Sequence, residues 1–584
     1  MTDVNKLITD HIDVWTSAIK NRNSQGRGTS KKIELTGVNK LRELILELAV
    51  SGKLVPQDVN DEPAGVLLER IAEEKAQLII DKKIKKQKPL PTLSEAEKAI
   101  ELPNGWEITR FGNCNVLKSG NTFKEKPLDE NGSYLYCKVG DMNLPKNTFE
   151  INESNHHITP SERELALLIP AGSIIFPKRG GAIATNKKRF VYKDIFADPN
   201  VMSATPYKAV SLTFLMVWLD SFDLASLNTG TSVPQINNKD IEPLIFLLPP
   251  LAEQHRIVAK VDELMALCDQ LEQQTEQSLT SHQTLVEVLL AALTNCDSTE
   301  DFQTSWQRIA EHFDVLFTTE DSIEKLKQTI LQLSVMGKLV PQNPTDEPAS
   351  VLLEKIAEEK AQLIADKKIK KQKPLPVITD EEKPFELPKG WEWSRVWDVA
   401  KIITSGSRDW AKYYSEEGAI FVTMGNLSRS DYRLRLDTLR HVNPPIGGEG
   451  SRTKLEENDL LLSITGDVGN LGLIPNDFGE AYINQHTCLL RFMADCQNRY
   501  FPELMRSPLA KHQFDAPQRG IKNSFRLGDV GEMIVPIPPL AEQHRIVAKV
   551  DELMALCEQL KVRLSDAQTT QLHLADAVVT NALN

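Results

Sequence analysis

An internal duplication constrains this chain more than any other feature. Gly52-Lys53-Leu54-Val55-Pro56-Gln57 recurs as Gly337-Lys338-Leu339-Val340-Pro341-Gln342, residues 71–79 return as 356–364, and the basic stretch 81–91 returns as 366–376, all at an offset of 285. Leu102-Pro103 and Gly105-Trp106-Glu107 match Leu387-Pro388 and Gly390-Trp391-Glu392 at the same offset. Residues 249–268 are repeated at 538–557, now at an offset of 289. Between these blocks, residues 107–248 and 392–537 scarcely resemble each other. The period is far longer than the roughly 20–50 residues of a stacked solenoid, so the chain is a two-copy unit.

Each copy reads as an arm, a variable domain and a helix. The boundaries expected are a helical arm at 1–106, a first variable domain at 107–250 and a central helix at 251–293. A linker with the repeated arm follows at 294–390, then a second variable domain at 391–539 and a C-terminal helix at 540–584. His11-Ile12-Asp13-Val14 echoes His312-Phe313-Asp314-Val315, and the polar insert 21–31 reads as a loop.

The helix closing each copy starts after a Pro-Pro pair, since proline is tolerated in the first turn. Ile257, Val261, Leu264, Cys268 and Leu271 alternate at spacings of four and three. Ile546, Val550, Leu553, Cys557, Leu560 and Leu564 do the same, which predicts a coiled-coil seam. The first seam turns polar through Thr275, Ser278 and His282 and is expected to resume at Leu285, Leu289 and Ala292; the second is expected to continue through Ala567, Gln571, Leu574 and Val578. Two long matched helices with narrow apolar stripes need a partner, and each other is the simplest one.

The arms are helical as well. Residues 41–50 are apolar-rich and stop at Gly52, and a second helix starts at Pro63 with Val66, Leu67, Ile71, Leu78 and Ile79 on its buried side. It runs into Lys82-Lys83-Ile84-Lys85-Lys86-Gln87-Lys88, which brings positive charge to the negative end of the helix dipole. Both variable domains begin at a tryptophan and alternate short β-rich runs with turns. Residues 134–141 parallel 420–426, and 172–176 followed by 180–183 parallel 459–463 followed by 466–469. The fold class expected is α+β, with two β-rich domains, long paired antiparallel helices and a pseudo-twofold repeat.

Net charge is -13, yet 107–248 and 392–537 are each close to neutral, so the acidic excess lies in the arms and helices. The seven cysteines form no Cys-x-x-Cys pair, which speaks against a zinc site and fits a reducing, cytoplasmic compartment. No long apolar run suggests a membrane span. Asn443-Pro444-Pro445-Ile446 resembles the base-holding motif of amino-methyltransferases, but Ile446 replaces the stacking aromatic, so it reads as a turn. No phosphate-binding Gly-x-x-x-x-Gly-Lys loop is present. His156-His157 show no metal-ligand spacing. No catalytic residue and no metal ligand is therefore expected.

The alternation of near-identical flanks with unlike interiors resembles the specificity subunit of Type I restriction–modification enzymes. So do the closing block Pro-Pro-Leu-Ala-Glu-Gln-His-Arg-Ile-Val, at 249–258 and 538–547, and the arm phrase Gly-Lys-Leu-Val-Pro-Gln. Residues 1–40 match that pattern loosely. The resemblance implies that each variable domain is a target-recognition domain for one part of a split double-stranded DNA sequence. It implies that the helices form an antiparallel spacer docking two methyltransferase (modification) subunits, with restriction subunits joining them. S-adenosylmethionine, ATP and magnesium are then expected in those partners, and none in this chain. A coiled-coil adaptor whose variable domains bind proteins is the alternative.

Candidate DNA contacts follow from residue type, since arginine suits guanine, asparagine and glutamine suit adenine, and most contacts go to phosphate. In the first domain they are Asn121, Thr122, Lys178, Arg179, Lys187, Lys188, Arg189, Thr231, Ser232, Gln235 and Asn237. In the second they are Ser407, Arg408, Arg433, Arg435, Arg519, Lys522, Asn523 and Arg526, with Ser524 and Arg440 nearby.

Overall fold

The computed structural model describes residues 4–22, 32–123, 132–228, 233–296, 298–448, 450–516 and 524–583. The chain condenses into two units, residues 1–278 with 567–584, and residues 279–566.

In the first unit, β1 (Lys20–Arg22) pairs antiparallel with β2 (Lys32–Glu34), and the first arm helix, Thr36–Val50, follows. Val38, Leu41, Leu44, Ile45 and Leu48 recur at spacings of three and four and are buried. The chain leaves this helix through Gly52 at φ 74°, where a β-carbon would lie 2.3 Å from the Pro103 ring. The second arm helix, Ala64–Ile80, buries Ala64, Leu67 and Ile71. Leu78 and Ile79 are half-buried, while Val66, expected on the same side, is exposed. The four-residue step from Leu67 to Ile71 fixes the buried face, and Val66 falls about 100° off it.

The first variable domain is closed at its base by a ribbon of β3 (Glu107–Arg110) and β11 (Ile245–Leu248). Its main sheet is antiparallel, in the order β4 (Asn115–Ser119), β10 (Val201–Pro206), β7 (Ser173–Pro177), β8 (Arg189–Val191). A smaller sheet joins β6 (His157–Ile158), β5 (Tyr134–Cys137) and β9 (Phe196–Ala197), with β5 and β9 parallel. Every residue of β7 is buried, as befits a strand covered on both faces. Helix Leu212–Asp220 contributes Phe214, Leu215 and Trp218 to the core, and Phe111 stacks on Trp218 with ring centroids 4.5 Å apart.

The second unit repeats this plan with different residues. Its ribbon is β12 (Glu392–Arg395) with β21 (Ile534–Ile537). Its main sheet runs β13 (Ala400–Ser405), β20 (Thr487–Phe492), β17 (Leu460–Ser463), β18 (Leu471–Leu473). Its small sheet runs β14 (Tyr414–Ser415), β16 (Arg440–Val442), β15 (Ala419–Val422), β19 (Ala481–Ile483), again with one parallel pair, β15 and β19. The fold is α+β, and two unlike sequences share one strand order.

The central helix is Leu251–Thr294 and the C-terminal helix is Leu540–Leu583. In the first unit the arm helix touches both. Arg42 pairs with Asp269 at 2.7 Å and Glu272 at 2.5 Å of the central helix, and Lys40 pairs with Asp576 of the C-terminal helix. Further along, Gln57 donates to Glu253 and Arg256 donates to Asp61, while Lys53 donates to the Leu583 carbonyl. Arm residue 42 meets the central helix at 269–272 and residues 57–61 meet it at 253–256, whereas residues 40 and 53 meet the C-terminal helix at 576 and 583. The two helix segments in this unit therefore run antiparallel.

The second unit makes the same contacts with the roles exchanged. Lys327 pairs with Glu558, Lys325 with Glu287, Gln342 with Glu542, and Arg545 with Asp346. Val286, Leu290 and Leu293 share one apolar core with Ile323, Leu326, Ile330, Ile546, Val550 and Cys557. Trp391 donates to Glu542 at 3.1 Å. Burial raises the pKa of the Glu253 and Glu542 carboxyl groups; Gln57 pulls the first back, and Trp391 and Gln342 the second.

The seam departs from its heptad expectation. Ile257, Val261, Leu264, Cys268, Ile546, Val550 and Cys557 are buried, whereas Leu271, Leu553, Leu560 and Leu564 are half-buried. Beyond the polar stretch the buried residues are Val286, Leu290 and Leu293; Leu285 and Ala292 are exposed and Leu289 is half-buried. In the second helix Ala575 and Ala582 are buried, Gln571 and Val578 are half-buried, and Ala567 and Leu574 are exposed. Val286 lies 18 residues after Cys268, and Ala575 lies 18 after Cys557. That is five turns at 3.6 residues per turn, so the face returns on an α-helical period rather than on a 3.5-residue one.

Candidate nucleic-acid interface

In both variable domains, two strands of the main sheet end on the same side and run into short polar loops. In the first, β4 passes from Ser119 into Gly120, Asn121 and Thr122, and β7 passes from Pro177 into Lys178, Arg179 and Gly180. The start of β10 lies between them. Gly120 N–H donates to the Val201 carbonyl at 2.9 Å, Asn121 N–H to Ala197 at 2.8 Å, and Lys178 N–H to Asn200 at 2.8 Å. A third loop joins the same end, where Arg179 and Gln235 form a backbone bridge and Gly180 N–H donates to Pro234 at 2.8 Å.

The second domain assembles its counterpart from β13, which passes into Gly406, Ser407 and Arg408, and β17, which passes into Ile464, Thr465 and Gly466. Gly406 N–H donates to the Asn484 carbonyl at 3.1 Å, Phe525 N–H donates to Ile464 at 2.9 Å, and Thr465 bridges Ser524. A β-carbon on Gly120 would lie 2.0 Å from the Asp198 carbonyl oxygen, and one on Gly406 2.0 Å from that of Ile483. Each loop can lie this close to its neighbour only because these residues lack a side chain.

The polar groups gathered there are those of base and phosphate recognition. Arg179, Thr122 and Arg408 are exposed, and Asn121, Lys178, Gln235, Asn237 and Ser407 are half-buried. Lys178 donates to Ser119 Oγ at 2.8 Å, and Gln235 Nε2 donates to Asn237 Oδ1 at 2.8 Å. In the second domain Thr465 Oγ1 lies 2.7 Å from His486 Nδ1, and Gln485 Nε2 lies 2.9 Å from His486 Nε2. Sequence reasoning missed Thr465, Gln485 and His486. The signal available was the match of Gly466 to Gly180, which places Thr465 opposite Arg179.

Two of the expected contacts are not on this surface. Lys188 is buried, with its side chain 1% exposed and its Nζ 3.1 Å from Asp220. Burial lowers the Lys188 pKa and raises that of Asp220, while the ion pair opposes both shifts. Arg189 donates to the carbonyls of Met142, Lys188 and Asn147 and so ties strand β8 to the segment before it. Lys188 stands just before β8 and is held by Asp220, and Arg189, the first residue of the strand, is held by backbone carbonyls. Lys187 is half-buried, with Nζ on Asn143 Oδ1.

Arg433 and Arg435 are exposed on the segment between β15 and β16, and the Arg440 guanidinium lies 5.8 Å from the Tyr414 ring centroid. This segment is pinned by Tyr432, which donates to Glu503 at 2.8 Å beneath Arg499 and Arg506, each 5.6 Å from its ring centroid. Arg526 is exposed at the start of helix Leu527–Glu532, its backbone N–H donating to Asp529. Thr231, Ser232, Arg519, Lys522 and Asn523 lie outside the described residues.

Asn443 donates to Ser415 Oγ at 3.0 Å and to the Glu417 carbonyl at 3.1 Å, and Ile446 is fully exposed. The Asn-Pro-Pro-Ile stretch is a turn beside a pocket of about 680 Å³. Among the described residues no group of three or more His, Cys, Asp or Glu is placed to hold a metal. The seven cysteines are unpaired, and no described helix is long and apolar enough to cross a membrane.

Two sheet ends of one design, carrying different polar sets within repeated flanks, define a duplicated recognition protein. Residues 103–281 and 388–566 each match the Type I restriction modification DNA specificity domain, and the chain belongs to that family. It is similar to the Type I restriction enzyme EcoAI specificity subunit of Escherichia coli, with 38% identity over 601 residues covering 100% of both chains. It is equally similar to the EcoEI specificity subunit of Escherichia coli, with 38% identity over 623 residues and 100% of both chains covered. The HsdS subunit from Thermoanaerobacter tengcongensis aligns with 84% of this chain and 99% of its own, at 18% identity and a TM-score of 0.39.

Proposed function

We propose that this chain is the DNA-reading subunit of a Type I restriction–modification complex, with each variable domain reading one half of a bipartite double-stranded target. The helices fix the spacing between the halves and offer one surface twice, suited to two copies of the modification subunit. Methylation and cleavage belong to partner subunits, which carry S-adenosylmethionine, ATP and magnesium. Asn121, Thr122, Lys178, Arg179, Lys187, Gln235 and Asn237 face DNA in the first domain, and Ser407, Arg408, Arg433, Arg435 and Arg526 in the second. Thr231, Ser232, Arg519, Lys522 and Asn523 remain assigned to DNA on their sequence alone. Lys188 and Arg189 do not belong to the set.

The observation that carries this reading is the pair of matched sheet ends, alike in backbone and unlike in side chain. A reader of two different sequences needs that combination, because the duplex presents the same geometry and different base edges at each half-site. The test is to exchange residues 107–248 for the same domain of a relative and map the methylated motif in host DNA. One half of the motif is expected to change and the other to persist. A change in both halves overturns the modular reading.

A further inference from the structure

We propose that residues 82–88 and 367–373 are twin clamps on the phosphate backbone of duplex DNA, binding it without regard to sequence. The inference rests on the DNA-reading function proposed above and adds a surface that function does not use.

Each stretch is a strap held at both ends. One end leaves an arm helix through Lys82 or Lys367, at φ 56° and 57°, and the next N–H donates back to Leu78 or Leu363 at 2.9 Å. The other end is fixed by a buried arginine of the domain base. Arg110 Nε donates to the Pro91 carbonyl at 3.1 Å, and Arg395 Nε to the Pro376 carbonyl at 3.2 Å. In between, every third residue is half-buried, namely Ile84, Gln87 and Leu90 in one copy and Ile369, Gln372 and Leu375 in the other. Lys82, Lys83, Lys85, Lys86 and Lys88 are exposed, and so are Lys367, Lys368, Lys370, Lys371 and Lys373. The acids paired with them in the strap are Asp81, 3.8 Å from Lys83, and Asp366, 3.3 Å from Lys368.

Packing does not account for the repetition. Residues 81–91 and 366–376 are identical, although their lysines meet no core. In the next nine residues, 92–100 and 377–385, only Glu97/Glu382 and Lys98/Lys383 are shared. The left-handed position that ends each arm helix suits glycine, yet both copies place lysine there against the steric preference of its β-carbon.

Duplex DNA is the occupant that matches identical straps beside unlike readers. The bases of two half-sites differ and the phosphates do not, so a phosphate contact is the part of recognition that stays the same in both copies. Lysine suits this role, being a point charge without the fork that reads guanine. The chain as a whole is acidic, and each strap concentrates five exposed lysines on seven residues, of which Lys83 and Lys368 pair with an aspartate at the helix end.

The test uses the complex assembled with its partner subunits. K85Q/K86Q/K88Q, K370Q/K371Q/K373Q and the combined variant are compared with the unaltered complex on target and unrelated duplexes over a range of salt concentrations. The slope of log K against log salt is expected to become shallower by about 0.9 for each lysine–phosphate pair removed, up to about 3 per strap. Affinity for both duplexes falls by a similar factor, the methylated motif is unchanged, and lysine-to-arginine versions restore the slope. An unchanged slope overturns the proposal, as does a weakening confined to target DNA. Failed assembly with a normal slope in the assembled fraction also overturns it and points to an acidic protein surface as the occupant. If the unaltered complex itself binds no duplex, the DNA-reading function fails first.

Discussion

A β-carbon at Gly120 or Gly406 would press on a carbonyl oxygen 2.0 Å away, and a backbone oxygen cannot rotate aside as a flexible side chain can. G120A and G406A should therefore each shift a recognition loop and destabilise the domain that carries it by about 1–3 kcal/mol. Thermal unfolding and DNA affinity measure this; an unchanged melting temperature with full affinity would show that the loop yields freely. Residues of this kind are legible in the chain, because Ser119-Gly120-Asn121 and Ser405-Gly406-Ser407 each close the first main-sheet strand of a variable domain. The fates of Lys188 and Arg189 are not. Lys178 and Arg179 follow the end of β7, whereas Lys188 and Arg189 lead into β8, where Asp220 and backbone carbonyls hold them.

Along the long helices, the duplicated blocks announce length, start and direction of the apolar face as far as Cys268 and Cys557. After that the polar stretch through Thr275, Ser278 and His282 hides the phase, and a heptad extrapolation lands on Leu285 instead of Val286. A difference of a tenth of a residue per turn accumulates over five turns into half a residue, about 50° around the helix. Leu290 is 4% exposed and Leu285 50% exposed. L290A should cost about 2–5 kcal/mol, as deletion from a packed core does, whereas L285A should stay within about 0.5 kcal/mol of the parent. Chemical denaturation of the two variants decides between the periods, and the reverse ranking would restore the heptad.

For the molecule, the repeat fixed the two-copy plan, but the assignment of helix ends to units was not written in any motif. Arm lysines 40 and 325 each pair with the far end of the other copy's helix, at Asp576 and Glu287. Removing residues 567–584 should accordingly loosen the first unit and spare the second. Hydrogen exchange is expected to quicken in helix Thr36–Val50 and stay slow in helix Glu320–Val335. Equal protection of both after truncation would mean that the borrowed segment adds nothing.

That borrowing sets an order of events during synthesis. The first unit's last segment is made only after residues 279–566 have been translated, a stretch of 288 residues. At about 5–20 residues per second that is a wait of roughly 15–60 s. Until then the leading half must stand on the ribosome with one face of its core open to water. The second half finds its borrowed segment, residues 279–294, already at hand, so the end of the gene that is read last is the one able to close first.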